Sequence, residues 1–282
     1  MRAVGTLLGD LPSHLYFGGI VVSWLASVGG MLMPYRLARL DLDQPAAERG
    51  LLFALLHPGA FFFGVVYTES TYLMLAVTAM YGFRAGRWWL GGVTGALLTA
   101  TRVTGILLLP ALAWVAWRTW RDTRSSPWWM PALAVAMVPL GLAAFSAWCY
   151  MLSGNPLEWM TSITRWNYQP GGHPVSALWA LETELVTHPY HYLVHTPSSP
   201  YDTVNGLMAI AALAMTPLVW WRFGTGYALV IICSLALPLS SGQYEGLTRY
   251  TSVLFPLALL LGSIRSPTAP GPPPARATRS AC

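Results

Sequence analysis

The sequence predicts an all-α polytopic membrane protein with about nine transmembrane helices. Three observations support this class: 55% of the 282 residues are hydrophobic, only 10% are charged, and the mean hydropathy is +0.49. Soluble domains carry roughly 25% charged residues, so this chain has too few charges to cover the surface of a soluble protein. We therefore expect it to fold within a lipid bilayer.

The predicted spans are apolar runs that approach the length of a bilayer crossing, about 20 residues. They form one multi-span membrane domain over residues 1–265, interrupted by a large external segment at 153–203. Residues 266–282 are rich in proline and small residues and are expected to be a disordered cytoplasmic tail. The nine spans lie near 15–33, 51–66, 71–83, 88–101, 105–117, 128–152, 204–221, 225–239 and 251–264.

The distribution of arginine sets the predicted orientation. All sixteen basic residues are Arg, and twelve of them fall on the side that holds the tail and the segments 34–50, 84–87, 118–127 and 222–224. The positive-inside bias makes that side cytoplasmic, so the N-terminus is expected outside and the C-terminus inside. The predicted location is the cell membrane, or the endoplasmic reticulum membrane in a eukaryote.

Composition also excludes several functions. The absence of lysine excludes Schiff-base chemistry and a phosphate-loop lysine. The arginines are dispersed between apolar runs, so nucleic acid is not an expected partner, whereas membrane lipids are. His188, His191 and His195 have the spacing of one helix face, but a further ligand is not evident, and interfacial histidines are the preferred interpretation. No metal and no cofactor are expected.

Several predicted helices are too short to cross the bilayer. Fourteen residues separate Glu69 from Arg84 and fourteen separate Arg87 from Arg102, so each helix covers only about 21 Å of a hydrocarbon layer of about 30 Å. The cytoplasmic ends are held at the interface by arginines and tryptophan pairs. The external ends, with Glu69 and Arg102, are therefore expected to be recessed beneath the outer surface, and the same arithmetic applies to Arg249.

Ionisable groups at such depth usually pair with one another or line a pathway. One acid and two arginines that converge from three helix ends would suit an anionic head group, because the Arg fork of donors matches phosphate. A structural Glu–Arg pair that only holds the helix ends together is the alternative. Spacing alone does not choose between them.

Several motifs together resemble the GT-C glycosyltransferases, in particular the PIG-V type mannosyltransferases and their bacterial relatives. The resemblance covers most of residues 30–120 and 240–262. The motifs are Tyr35–Leu40, Pro58–Phe63 leading into Tyr67-Thr68-Glu69-Ser70, Gly86–Leu90, Thr99–Pro110 with its Thr-Arg-x-Thr-Gly core, and Gly246-Leu247-Thr248-Arg249-Tyr250 followed by Val253–Pro256.

The resemblance implies a GT-C-like helix bundle and an inverting hexosyl (mannosyl) transferase. Such an enzyme takes a sugar from a polyprenyl-phosphate donor outside the cytoplasm and transfers it to a lipid or glycan acceptor. It further implies that Arg102 and Arg249 bind the donor phosphate and that Glu245, Thr101 and Tyr67 are orienting residues. Glu69 is the candidate catalytic residue, or else it orients the arginines.

The family's general base lies in an external loop that would precede this chain. We therefore expect the 282-residue chain to be an N-terminally incomplete form that lacks the catalytic base. Two other classes remain open: a multi-span transporter or permease, and a non-catalytic membrane subunit of a glycosylation complex. A transporter would be favoured by acids at mid-span and by repeated hydropathy, whereas acids of this chain such as Glu69 and Glu245 lie at the external ends.

Overall fold

The computed structural model describes residues 12–162, 179, 183, 185–195, 199–240 and 246–264. These residues form helices and turns, without a β-strand, as the sequence predicts. Glu245, the tail and most of the external segment lie outside the described residues. The predictions for those parts of the chain stay predictions.

Thirteen α-helices have bounds within the described residues. Two 3₁₀ segments, Ala60–Phe63 and Val103–Leu108, precede the third and fifth of them. The helices are α1 Pro12–Ala38, α2 Gln44–Leu55, α3 Glu69–Arg84, α4 Trp88–Thr101, α5 Leu109–Thr123, α6 Trp129–Met137, α7 Leu140–Ser153, α8 Glu158–Thr161, α9 Pro189–His195, α10 Ser199–Phe223, α11 Thr225–Ser240, α12 Leu247–Ser252 and α13 Phe255–Gly262.

Four helical stretches of the described residues are long and apolar enough to cross a membrane. They are Tyr16–Ala38, Val103–Thr123, Trp129–Ser153 and Tyr201–Phe223. Each contains or overlaps a span predicted from the sequence. These four long apolar helices indicate a membrane protein, while the total of nine spans remains a prediction.

The predicted span at 51–66 is wrong as a single helix. Helix α2 ends at Leu55, and the chain turns through His57, Pro58 and Gly59 before the short 3₁₀ segment. Proline lacks a backbone N–H and ends helices. A side chain at Gly59 would meet the Thr248 carbonyl oxygen at 2.7 Å, so the turn also depends on glycine for its close approach to α12.

Helix α3 lies at the centre of the fold, with eleven of its sixteen residues buried. It packs along α4 where Gly82 faces Gly91, and a Cβ at Gly82 would lie 2.6 Å from the Gly91 nitrogen. Helix α4 in turn contacts α7, where a Cβ at Gly141 would overlap the Ala96 carbonyl oxygen. Small residues at helix crossings allow backbones to approach closely, which is the main source of packing energy between helices in lipid.

The C-terminal end of α3 is held by a polar cluster. The two Arg84 amino groups lie 2.6 and 2.9 Å from the two carboxylate oxygens of Asp41, in the turn after α1. The Tyr227 hydroxyl of α11 donates to Asp41 at 3.1 Å and accepts from Arg84 at 2.9 Å. The bidentate pair and the Tyr227 hydroxyl thus tie two distant parts of the chain to the end of α3.

Candidate functional site

The backbone that leads into α3 is irregular and is held by side chains of α1 and of α3 itself. The hydroxyls of Ser27 and Ser70 donate to the Phe63 carbonyl at 2.5 and 2.8 Å. The Trp24 indole donates to the Gly64 carbonyl at 3.1 Å. Non-helical backbone at membrane depth is tolerated where protein satisfies its polar groups, so these bonds fix the position at which α3 begins.

Glu69 is the first residue of α3 and is fully buried. Its Oε1 accepts from Nη1 of Arg102 at 2.8 Å, and the same oxygen accepts from Nε of Arg249. The position at a helix N-terminus also favours a negative charge. The structure therefore brings together the three charged residues that the short-helix argument predicts to converge.

Arg102 reaches the cluster because the chain reverses direction after α4. It caps α4 in an extended conformation, with φ −147° and ψ 127°, and the 3₁₀ segment begins at the next residue. The reversal is tight, since a Cβ at Gly105 would lie 2.9 Å from the Leu98 carbonyl oxygen. The Thr-Arg-x-Thr-Gly sequence thus combines a partly exposed cation with the small residue that the turn requires.

Arg249 is placed by the short helix α12. The helix follows Gly246, whose φ of +79° is readily accessible only to glycine. The Thr248 backbone N–H donates to Oδ1 of Asn205 on α10 at 2.7 Å. Asn205 is fully buried, so this bond is shielded from water and ties α12 to a long apolar helix.

Four aromatic rings surround the two guanidinium groups. The guanidinium carbon of Arg102 lies 5.5 Å from the ring centroid of Tyr72 and 5.0 Å from that of Tyr250. The guanidinium carbon of Arg249 lies 4.6 Å from the ring of Tyr67 and 6.0 Å from that of Phe62. Cation–π contacts stabilise each cation by about 0.5–2 kcal/mol and restrict the directions in which its N–H groups point.

The cluster of Glu69, Arg102 and Arg249 carries one more positive than negative charge. Each guanidinium has five N–H groups, and within the described part of the chain each donates one of them to Glu69. The side chains of Arg102 and Arg249 are 12% and 28% exposed, whereas that of Glu69 is not exposed. The arrangement can therefore present converging N–H donors to an anion, with the carboxylate behind them.

The remaining predicted site residues are placed differently. Tyr67 contacts Arg249, as described above, but its orienting role stays a prediction. The hydroxyl of Thr101 donates to the Leu97 carbonyl of its own helix at 2.8 Å. Glu245 lies outside the described residues. Glu69, the catalytic candidate, faces two arginines, an arrangement that favours the orienting alternative.

Sequence reasoning missed Asn205, Tyr72 and Phe62 as members of this region. Asn205 could have been detected from the sequence, because burying a polar side chain inside the predicted apolar span at 204–221 costs free energy unless the side chain has a polar partner. Its Nδ2, the Oγ1 of Thr248 and the Oε2 of Glu69 are buried without a hydrogen-bond partner among the described residues. The two aromatic residues gave no signal that separated them from ordinary apolar packing.

Helix α9 carries two of the three histidines that the sequence places on one helix face, His191 and His195. Helix α9 begins at Pro189, as predicted. The side chain of His188 lies 2.9 Å from the Thr187 hydroxyl. No group of three metal-ligating side chains is found in the described ranges.

No protein-family model, no curated protein and no solved structure matches this chain. The described residues define an all-helical protein with four helices that could cross a membrane. Its most distinctive feature is a buried carboxylate shared by two arginines. A functional conclusion therefore has to come from the chemistry of this cluster.

Proposed function

We propose that this protein is a membrane glycosyltransferase, specifically a mannosyltransferase, that uses a polyprenyl-phosphate-linked sugar on the extracytoplasmic side. Arg102 and Arg249 hold the donor phosphate and stabilise the charge that develops on it as the sugar leaves. Glu69 orients the two guanidinium groups, and Tyr67 restricts the plane of one of them. The acceptor is a lipid or glycan hydroxyl.

A single observation carries this proposal: two guanidinium groups and one carboxylate converge at the ends of three helices. The pair distance of 2.8 Å between Arg102 and Glu69 is typical of a charge-assisted hydrogen bond. Two arginines compensated by one acid favour an anionic ligand. The resemblance of the Thr-Glu-Ser, Thr-Arg-x-Thr-Gly and Leu-Thr-Arg-Tyr motifs to PIG-V type enzymes supports a lipid-linked phosphate as that anion.

The proposed topology puts the cluster on the external side. Glu69 begins α3 and Arg102 follows the end of α4, so both lie at the same end of this helix pair. Arg84 and Arg87 lie at the opposite end, where the arginine count favours the cytoplasm. The donor head group would thus be bound where extracytoplasmic transfer requires it.

A second function, binding without catalysis, is favoured by one observation. Glu69 is the acid placed at the phosphate-binding arginines, and its Oε1 is already occupied by two N–H donors. An acceptor hydroxyl needs a base that can take its proton. A non-catalytic membrane subunit that binds the lipid-linked sugar is therefore the alternative.

The test measures binding of polyprenyl-phospho-mannose to the purified protein in lipid nanodiscs. Arg102→Ala and Arg249→Ala should each weaken binding by about 30-fold or more, since the cluster then has no excess positive charge to balance the bound phosphodiester. Arg222→Ala is the matched control, because Arg222 donates to the Ser263 carbonyl elsewhere in the fold.

Equal losses at all three positions would contradict a phosphate site and indicate that the cluster is only structural. Transfer of mannose to an added acceptor by the same preparation would distinguish the enzyme from the binding subunit. Binding with no transfer under any acceptor condition would favour the second function.

A further inference from the structure

The charge of the cluster depends on Glu69 as much as on the arginines. Glu69 is buried and lies behind Arg102 and Arg249, whose side chains are the partly exposed members. A ligand would therefore touch the guanidinium groups, while the carboxylate acts on it through its charge. Oε2 of Glu69 has no hydrogen-bond partner among the described residues. Within that part of the chain, the negative charge of Glu69 is therefore shared by the two arginines alone.

Phosphate esters differ in charge. A phosphodiester carries one negative charge, whereas a phosphomonoester carries about −1.5 to −2 at pH 7 because its second pKa is about 6. In a site of low effective dielectric constant, charge interactions are far stronger than in water. A site with one excess positive charge balances a diester, but a monoester would bring additional charge that has no counterpart, and an unpaired buried charge is costly.

We propose that Glu69 is a specificity-determining residue that sets the site to accept singly charged phosphodiesters and to disfavour doubly charged phosphomonoesters. This inference rests on the proposed function, because it concerns the same two arginines. It assigns Glu69 a role through charge rather than through proton transfer.

The consequence for a transferase is release of the product. In transfer, the bond between the anomeric carbon and the phosphate oxygen breaks, and the phosphate keeps the electron pair. The acceptor oxygen forms the new glycosidic bond, and its proton passes to a general base and from that base to solvent. The donor diester thus becomes a lipid phosphate monoester with additional negative charge, which the site holds less well than the donor.

The experiment uses two probes that differ in charge and by one methyl group: farnesyl phosphate, a monoester, and farnesyl methyl phosphate, a diester. The dissociation constants of both are measured for each protein in nanodiscs, and their ratio is the readout. A ratio taken within one protein cancels losses that come from partial misfolding. The variants are Glu69→Gln, which raises the cluster charge by one, Arg102→Gln, which lowers it by one, and Glu69→Asp, which leaves it unchanged.

Glu69→Gln should shift the ratio toward the monoester by about tenfold or more, and Arg102→Gln should shift it in the opposite direction. Glu69→Asp should keep the wild-type ratio even if both affinities fall. Asp41→Asn removes a carboxylate that is paired with Arg84 at the other end of α3 and should also keep the ratio.

The outcomes separate the two proposals. If the wild-type protein binds both probes but the ratio is the same in all variants, the inference about Glu69 is wrong and the phosphate site stands. If the wild-type protein binds neither probe, the proposed function fails and the inference fails with it.

Discussion

Glu69 and Arg84 lie at opposite ends of helix α3, and each forms an ion pair with a residue distant in sequence. Glu69 accepts from Arg102 at 2.8 Å, and Arg84 binds Asp41 at 2.6 Å. Glu69 is an anion at the helix N-terminus and Arg84 is a cation at the helix C-terminus, so the helix dipole favours both charges. The two groups nevertheless differ in net charge. Arg84 and Asp41 balance each other, whereas Glu69 with Arg102 and Arg249 has one positive charge in excess.

The balanced end should matter for stability. Asp41→Asn leaves Arg84 without its carboxylate in a site where the two side chains are only 14% and 20% exposed. Loss of one partner from a buried pair costs about 3 kcal/mol or more in the free energy of unfolding. Chemical unfolding of the protein in detergent, followed by circular dichroism, measures this loss.

The control for that experiment is Asp122→Asn. Asp122 pairs with Arg118 and Arg121, but these side chains are 42–49% exposed. Exposed ion pairs contribute about 0–1 kcal/mol, so the control should unfold close to wild type. Equal losses in the two variants would argue against a special role of the Arg84 end.

Asn205 should influence ligand binding without touching the ligand. Its Oδ1 accepts from the Thr248 backbone at 2.7 Å and thereby holds the helix that carries Arg249. Asn205→Ala leaves that buried N–H unsatisfied, at a cost of about 1–3 kcal/mol, and should weaken binding of polyprenyl-phospho-mannose. Thr216→Ala is the control on the same helix, because its hydroxyl donates to the Ala212 carbonyl one turn earlier in that helix. Unchanged binding by Asn205→Ala would show that α12 is held by other contacts.

Helix packing around α4 gives a third prediction. A Cβ at Gly141 would overlap the Ala96 carbonyl oxygen, which is backbone and cannot rotate away. Gly141→Ala should therefore destabilise the protein by about 1–3 kcal/mol through overpacking. At Gly64 the nearest atom to a new Cβ is 3.6 Å away, so Gly64→Ala should have little effect. Thermal unfolding in detergent compares the two, and similar midpoints would contradict the close helix approach.

The orientation can be tested by cysteine labelling. In a protein whose Cys149, Cys233 and Cys282 are replaced by alanine, single cysteines are introduced at Ser125 and Ser153, which are both exposed and lie at opposite ends of α6 and α7. The arginine count predicts that a membrane-impermeant maleimide labels position 153 from outside the cell and position 125 only from the cytoplasmic side. The reverse pattern would place the cluster on the cytoplasmic side and remove the proposed donor site.

The sequence by itself determined the class of the fold and the charged members of the candidate site. Low charge and long apolar runs predict helices in lipid, because a helix satisfies its backbone polar groups within one segment and needs no water to do so. The short intervals from Glu69 to Arg84 and from Arg87 to Arg102 predict recessed helix ends, since the rise per residue of a helix is constant. Both are local properties, so one sequence suffices to read them.

Only the tertiary structure decided which groups meet and how. That both arginines share one oxygen of Glu69 depends on two separate packing contacts: α3 packs against α4 where Gly82 approaches Gly91, and α12 packs against α10 and α11. The pairing of Asp41 with Arg84 and the contact of Asn205 with α12 likewise depend on the packing of distant helices. Such contacts join residues far apart in the chain, and periodicity and spacing carry no information about them.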